Sequence, residues 1–148
     1  MYAKDGDYTV QYTVTTVDGR TASTSQIVYV RTNLVTITID IKPGSQTNPI
    51  NPKSVGKIPV AILSTLDFDA PSEIDKTSLT FGRTGDELSL VSCNKKGEDV
   101  NGDGLLDQVC YFKTKLTGFQ IGDTVGFLKG QTLEAVSIEG RDSVRVLK

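Results

Sequence analysis

The sequence predicts an all-β protein folded as an antiparallel, immunoglobulin-like β-sandwich. Apolar and polar residues alternate with a period of two along much of the chain, and no convincing amphipathic-helix spacing is found. The alternating runs are short and are separated by turns rich in glycine, proline and asparagine, which is typical of sandwiches. A chain of 148 residues is long enough for one good core, or for one domain and a fragment.

The first two predicted elements form a β-hairpin. Tyrosine and valine alternate with threonine and glutamine from residue 8 to residue 15, so one face of this strand is apolar and the other polar. Asp18 and Gly19 form a turn signal, and the residues from Ile27 to Val30 predict the returning strand. Residues 1–32 are too short for a domain and the chain starts without a signal peptide's apolar stretch, so we expect it to begin inside an upstream β-domain.

The next two predicted strands are separated by a stiff loop. Residues 35–41 alternate cleanly, and the turn signal Lys-Pro-Gly-Ser follows at 42–45. Residues 57–63 are predicted to form a buried strand, and because Pro59 cannot donate to a sheet ladder, we expect this strand at an edge or with a bulge.

A short helical turn is predicted near residues 72–74. Further strands are predicted around residues 79–81, 88–93, 108–113, 123–129, 133–138 and 143–146.

Composition excludes several classes of function. The formal net charge of −2 gives no electrostatic reason to expect nucleic acid as a partner. Membrane insertion is not expected, because no run approaches the roughly 20 apolar residues of a spanning helix. The chain has no histidine, which removes Ser-His-Asp and Cys-His catalysis and imidazole metal ligands. We therefore expect a protein that is not an enzyme.

The run "GEDVNGDGLLDQVCYF", residues 97–112, predicts a metal-binding loop. Its oxygen-bearing side chains fall at relative positions 1, 3, 5 and 9, and a glycine at position 6 permits the sharp turn that lets them converge. Oxygen ligands with three carboxylates suit a hard cation, and calcium is favoured over magnesium. The predicted ligands are Asp99, Asn101, Asp103, Asp107 and the backbone carbonyl of Leu105.

This loop does not fit an EF-hand, which needs an acid at position 12 and flanking helices. Position 12 is Cys110, and the flanks are strand-like. The pattern D-x-N-x-D-G-x-x-D leading into a strand is similar to the calcium loops of integrin-type β-propeller blades, and that resemblance implies the same five ligands. A surface turn without metal is the alternative, and a bound calcium ion is open to either a structural or a ligand-bridging role.

Longer stretches resemble parts of extracellular proteins. "DGDYTVQYTVTTVDGRTASTSQIVYV" is similar to the last two strands of PKD-like, immunoglobulin-type repeats of secreted microbial proteins. Residues 34–147 resemble a module common in extracellular multidomain proteins of bacteria and archaea, through "IDIKPGS", "IPVAIL", "DVNGDG" and a closing "G-x-D-S-V". We therefore assign residues 1–32 to the end of a PKD-like domain and residues 33–148 to a calcium-binding β-sandwich module.

The extracellular setting favours a disulfide between Cys93 and Cys110, with two buried thiols as the alternative.

The resemblance implies a secreted or cell-surface setting. The main hypothesis for function is a non-catalytic structural or adhesion module of a larger protein. A carbohydrate-binding module attached to a polysaccharide-active enzyme is the alternative. The expected partners are the neighbouring domains of the same polypeptide, with a glycan or another copy of the chain left open. A hairpin alone is marginal in water, so residues 1–32 need apolar cover. We expect them either to pack on the main domain or to pair with the strand edges of another chain.

Overall fold

The computed structural model describes residues 6–15, 21–30 and 34–148, and strands dominate it. The all-β prediction is confirmed, since the one α-helix among these residues has four residues. The chain divides into two compact units, Met1–Asn33 and Leu34–Lys148.

The first unit contains the predicted hairpin strands. Strands β1 (Gly6–Thr15) and β2 (Thr21–Val30) pair antiparallel over ten residues each. Gly6 lies opposite Val30 at one end of the ladder, and Thr15 lies opposite Thr21 at the other. The predicted turn at Asp18 and Gly19 lies outside the described residues.

The second unit contains the remaining elements, several of them very short. In chain order they are β3 (Val35–Thr36), β4 (Ile39–Ile41), β5 (Pro49–Ile50), β6 (Lys57–Ile62), α1 (Ala70–Glu73), β7 (Thr80–Gly82), β8 (Leu90–Cys93), β9 (Gln108–Lys113), β10 (Val125–Gln131), β11 (Ser137–Ser143) and β12 (Arg145–Val146). Single turns of 3-10 helix occupy Lys76–Ser78 and Thr114–Leu116. The predicted helical turn near residues 72–74 corresponds to α1.

Two four-stranded sheets build the second unit in a sandwich-like arrangement. One has the order β4-β6-β9-β8 and is antiparallel throughout, and the other has the order β3-β11-β10-β7. The pairs β3–β11 and β5–β12 are parallel, which departs from the purely antiparallel expectation. Apolar side chains of both sheets form one core. Within it the Phe81 ring lies 4.9 Å from the Phe112 ring and 5.8 Å from the Phe119 ring, centroid to centroid.

The segment predicted as one strand over residues 35–41 is divided between the two sheets. Ile37 N–H donates to the Glu139 carbonyl beside β3, and Leu63 N–H donates to the Thr38 carbonyl beside β4, both at 2.9 Å. The chain therefore crosses from one sheet to the other at residues 37–38. Gly140 makes room for this crossing, because a Cβ at that position would lie 2.8 Å from Ile39 Cγ2.

The expectation that β6 is an edge strand or carries a bulge is wrong, since β6 lies between β4 and β9. Its ladder to β4 ends at the pair Ile41–Val60, after which Lys42 N–H donates to the Pro59 carbonyl at 2.8 Å. The next bond would need an N–H from Pro59, but the Lys42 carbonyl accepts the Ser45 N–H instead, at 2.9 Å. Proline is tolerated inside this sheet because β4 turns away at that point.

The segments "IDIKPGS" and "G-x-D-S-V" meet in space. Asp142 Oδ2 accepts the Ile41 N–H at 2.9 Å and the Asn48 side-chain amide at 3.1 Å. The same amide donates to the Ser143 carbonyl at 2.8 Å. Burial, together with the neighbouring Asp142 carboxylate, raises the pKa of Asp40. These contacts join the loop after β4 to the end of β11.

The strand predicted at residues 133–138 begins later, because residues 132–136 form a turn. Ala135 N–H donates to the Thr132 carbonyl at 2.9 Å, and Ala135 has a positive φ of 64°. Strand β11 starts at Ser137. Leu133, whose apolar character contributed to the strand prediction, is 69% exposed. The predicted strand at residues 123–129 is likewise displaced, to Val125–Gln131.

Candidate metal centre

The acidic loop connects β8 to β9 in the antiparallel sheet. A two-residue bridge closes it, with Glu98 and Asp107 exchanging both backbone N–H···O bonds at 2.9 Å. The loop is therefore an irregular hairpin, as the strand-like flanks predicted. An EF-hand is excluded, because its calcium loop lies between two helices and this loop lies between the strands β8 and β9.

Asp99 organises the tip of the loop. Its Oδ1 accepts the N–H of Gly102 at 2.8 Å and of Asp103 at 3.2 Å, and its Oδ2 accepts the N–H of Gly104 at 2.9 Å. The bond from Gly104 is the main cause of a lowered pKa for the Asp99 carboxyl. Gly102 and Gly104 both have positive φ, 76° and 85°, which L side chains rarely adopt. The loop therefore wraps around an ionised carboxylate.

Asn101 and Asp103 are exposed at this tip, and Leu105 is half-buried. Asp103 Oδ1 accepts the N–H of Leu105 at 2.9 Å, and Asn101 Oδ1 accepts the N–H of Asp103 at 3.3 Å. Both are local turn contacts of the kind that Asx side chains make. The Asn101 side chain and the Leu105 carbonyl remain predicted ligands.

Asp107 is the buried member of the set and immediately precedes β9. Its side chain is inaccessible to solvent. Oδ1 accepts the Ser64 N–H at 2.8 Å, and Oδ2 accepts the Val100 N–H at 3.1 Å. A buried carboxylate without such partners would be costly, so these two donors fix both its position and its orientation.

Three of the predicted ligands converge. Asp99, Asp103 and Asp107 each offer a carboxylate oxygen, and these oxygens all lie within 4.8 Å of one another. Carboxylates at this separation repel one another unless a cation or a proton lies between them. Asp99 Oδ1 accepts two N–H bonds, but Asp99 Oδ2, Asp103 Oδ1 and both Asp107 oxygens accept one each. A carboxylate oxygen has two lone pairs, so each of these four oxygens keeps one that a metal ion can use. The donor set is one that can hold a hard cation.

Sequence reasoning missed Ser64, which links this loop to the rest of the unit. Besides its N–H bond to Asp107, its hydroxyl donates to the Leu106 carbonyl at 2.6 Å and accepts the Ala70 N–H at 2.9 Å. Ser64 lies 43 positions before Asp107 and follows an apolar strand. No local pattern in the sequence associates it with the acidic run.

Gly97 was also not identified from the sequence, and its missing side chain leaves space for close packing. A Cβ at this position would lie 2.7 Å from Pro71 Cγ and 2.8 Å from Leu106 Cβ, distances that real Cβ atoms essentially never show. The start of the loop packs against the first turn of α1 only because residue 97 has no side chain.

The predicted disulfide is confirmed. Cys93 and Cys110 lie directly opposite each other in the β8–β9 ladder and are covalently bonded, with 3.9 Å between their Cα atoms. Cys110 is fully buried and belongs to the core. The bond closes a covalent ring that contains every predicted metal ligand.

No family model, curated protein or solved structure matches the chain. The similarity to PKD-like repeats and to extracellular modules therefore remains a prediction from the sequence. Among the residues that the structure describes, no helix has the length and apolar character needed to cross a membrane.

Proposed function

We propose that residues 34–148 form a non-catalytic module of a larger secreted or cell-surface protein, stabilised by calcium and serving a structural or adhesive role. The observation that carries this proposal is the convergence of the Asp99, Asp103 and Asp107 carboxylates in a loop already shaped by backbone N–H donors. Calcium accepts six to eight oxygen ligands in flexible geometry, which suits a loop of irregularly spaced oxygens.

Calcium would be held by the three carboxylates, with the Asn101 side chain and the Leu105 carbonyl as further ligands. Asp99 and Asp103 are exposed, whereas Asp107 is buried and anchored to Ser64. A cation between them would relieve the repulsion of three like charges and join the exposed members of the donor set to its buried member. The expected consequence is a stabilised loop rather than a new fold.

A structural role agrees with the rest of the chain. The disulfide bond is consistent with an oxidising, extracellular setting. The absence of histidine supports a non-catalytic module, because the usual general base near neutral pH is missing. Extracellular calcium modules bind with dissociation constants of about 0.1–1 mM, so millimolar calcium would add about 0.4–1.4 kcal/mol to the free energy of unfolding.

Thermal unfolding with and without calcium tests the proposal. At about 10 mM calcium, binding in this affinity range would raise the free energy of unfolding by about 1.4–2.7 kcal/mol, which corresponds to a rise in Tm of several degrees. Magnesium at the same concentration should give a smaller rise. Asp103→Asn should abolish the calcium effect, and the matched control Asp86→Asn, at an exposed acid outside the loop, should keep it. Equal calcium shifts in the two variants would contradict the proposal.

A glycan panel separates the structural role from carbohydrate binding. We expect no binding to soluble or insoluble polysaccharides, in calcium or in chelator. Retention on a polysaccharide that Asp103→Asn abolishes would instead assign the calcium ion to glycan recognition.

A further inference from the structure

The second unit contains a half-open cavity of about 510 Å³, a size typical of ligand sites. One wall is the crossing segment Val35–Thr38. The other walls are the loop Thr65–Phe68, the end of α1, and the turn over residues 132–136. Leu133 N–H donates to the Glu73 carbonyl at 2.8 Å, so the turn and the helix form a continuous border.

The interior of this cavity is apolar, and two of the side chains at its rim are apolar as well. Ile37 and Ile138 form a buried floor, with Phe68 half-buried beside them. At the rim Val35 is 43% exposed and Leu133 is 69% exposed. Exposed apolar side chains at the mouth of an apolar cavity offer contact area to the apolar groups of a ligand.

The charges around the cavity have one sign. Asp67, Glu73 and Glu134 line it and are exposed to solvent, and no lysine or arginine lines it among the described residues. Clustered charges of one sign attract ligands of the opposite sign and raise their association rate. The ligand that this lining complements combines apolar groups with positive charge.

The backbone beside the cavity offers a further means of recognition. Strand β3 is an edge strand of its sheet. Ile37 N–H bonds Glu139 on the β11 side, and since the backbone groups of a strand alternate between its two sides, the N–H and carbonyl of Thr36 face away from β11. An extended peptide can pair with such groups while its side chains enter adjacent pockets.

We propose that this cavity binds an extended segment of a partner protein in which apolar residues alternate with lysine or arginine. Apolar side chains would occupy the floor at Ile37 and Ile138, and the cations would meet Glu73 and Glu134. An oligosaccharide fits less well, because Phe68 is the one aromatic ring that the described residues contribute to the lining, and it is half-buried. This proposal goes beyond the calcium-dependent role and does not rest on it.

Fluorescence polarisation with three labelled hexapeptides tests the ligand class, using the full chain in saturating calcium. The probes are Lys-Val-Lys-Val-Lys-Val, Glu-Val-Glu-Val-Glu-Val and Lys-Ser-Lys-Ser-Lys-Ser. The first should bind at least about tenfold more tightly than the other two, since only it supplies both charge and apolar contact. Comparable binding of all three peptides, or tighter binding of a glucosamine tetramer than of the first peptide, would overturn the proposal.

Variants locate the bound peptide. Glu73→Gln with Glu134→Gln should weaken binding of the lysine–valine peptide about threefold to tenfold and reduce its salt dependence. Leu133→Ser should weaken it by a similar factor, and because this side chain is 69% exposed, the substitution removes little buried apolar area. Asp86→Asn removes the same type of charge elsewhere and should leave the affinity unchanged. Unchanged affinity in both cavity variants, with native circular dichroism spectra, would contradict binding in this cavity.

Discussion

Asp107 Oδ1 lies 2.8 Å from the backbone nitrogen of Ser64, a residue 43 positions earlier in the chain. This hydrogen bond connects the only buried carboxylate of the acidic loop to the end of β6, an internal strand. The Ser64 hydroxyl extends the connection to Leu106 and to the start of α1 at Ala70. One serine therefore positions the loop against the sheet and against the helix.

Replacing Ser64 by alanine should destabilise the second unit by about 1–3 kcal/mol. The variant keeps the backbone bond to Asp107 but removes the partner of the Ala70 N–H, and an unsatisfied buried donor costs energy of this size. Urea unfolding, followed by circular dichroism, measures the change. Ser72→Ala is the control, because the Ser72 hydroxyl is exposed and makes one long bond of 3.4 Å. Equal midpoints for the two variants would disprove the role given to Ser64.

Loss of the Cys93–Cys110 disulfide should lower the free energy of unfolding by about 3 kcal/mol. The two cysteines are 17 positions apart, and closing a ring of that length restricts the unfolded chain by about this amount. Because Cys110 is buried, the protein should be reduced in denaturant and refolded in reductant before urea unfolding is measured. A Cys93→Ala/Cys110→Ala variant should unfold at the same midpoint with and without reductant. An unchanged wild-type midpoint after reduction would contradict the prediction.

Removing the Asp40 carboxyl group should raise the free energy of unfolding by an amount that depends on pH. Burial and the nearby Asp142 carboxylate raise its pKa above the ordinary 3.8. A carboxyl group whose pKa is higher in the folded protein favours folding at low pH and loses that contribution as the pH rises through the folded-state pKa. Asp40→Asn should therefore stabilise the protein at pH 7, by less than about 1 kcal/mol, and this advantage should disappear near pH 3.

Thermal unfolding of wild type and Asp40→Asn between pH 3 and pH 8 tests whether the variant is the more stable protein at neutral pH and loses that advantage at low pH. The exposed Asp86 pairs with Lys129, with 3.2 Å between Oδ1 and Nζ, so Asp86→Asn should not stabilise the protein at pH 7. A destabilised Asp40→Asn at pH 7 would show that Asp40 makes a favourable contact that outweighs its unfavourable burial.

Features encoded within short stretches of sequence were predictable. The acidic loop is one of them, because ligand spacing and glycine positions act locally, and the carboxylates of Asp99, Asp103 and Asp107 do converge. The disulfide is another, since the two cysteines flank that loop on strands that pair with each other. Period-two alternation likewise identified most of the strands, including β9 at its observed bounds.

Features that depend on distant residues were not predictable. The division of residues 35–41 between two sheets leaves the alternation intact, so periodicity cannot reveal it. Pro59 suggested an edge strand, but its missing N–H falls where β4 has already ended. Ser64 acts on Asp107 through its backbone N–H, which every residue except proline carries. Such contacts exist only once the tertiary fold brings the segments together.

Amide NMR spectra recorded during a calcium titration test most directly whether the acidic loop binds calcium. In ¹⁵N-labelled protein the Gly102 and Gly104 amides, both bonded to Asp99, should shift together with one dissociation constant of about 0.1–1 mM. Asp103→Asn should remove these shifts, and Asp86→Asn should preserve them. Glycine signals that stay in place up to about 10 mM calcium, or shift equally in Asp103→Asn, would contradict calcium binding at this loop.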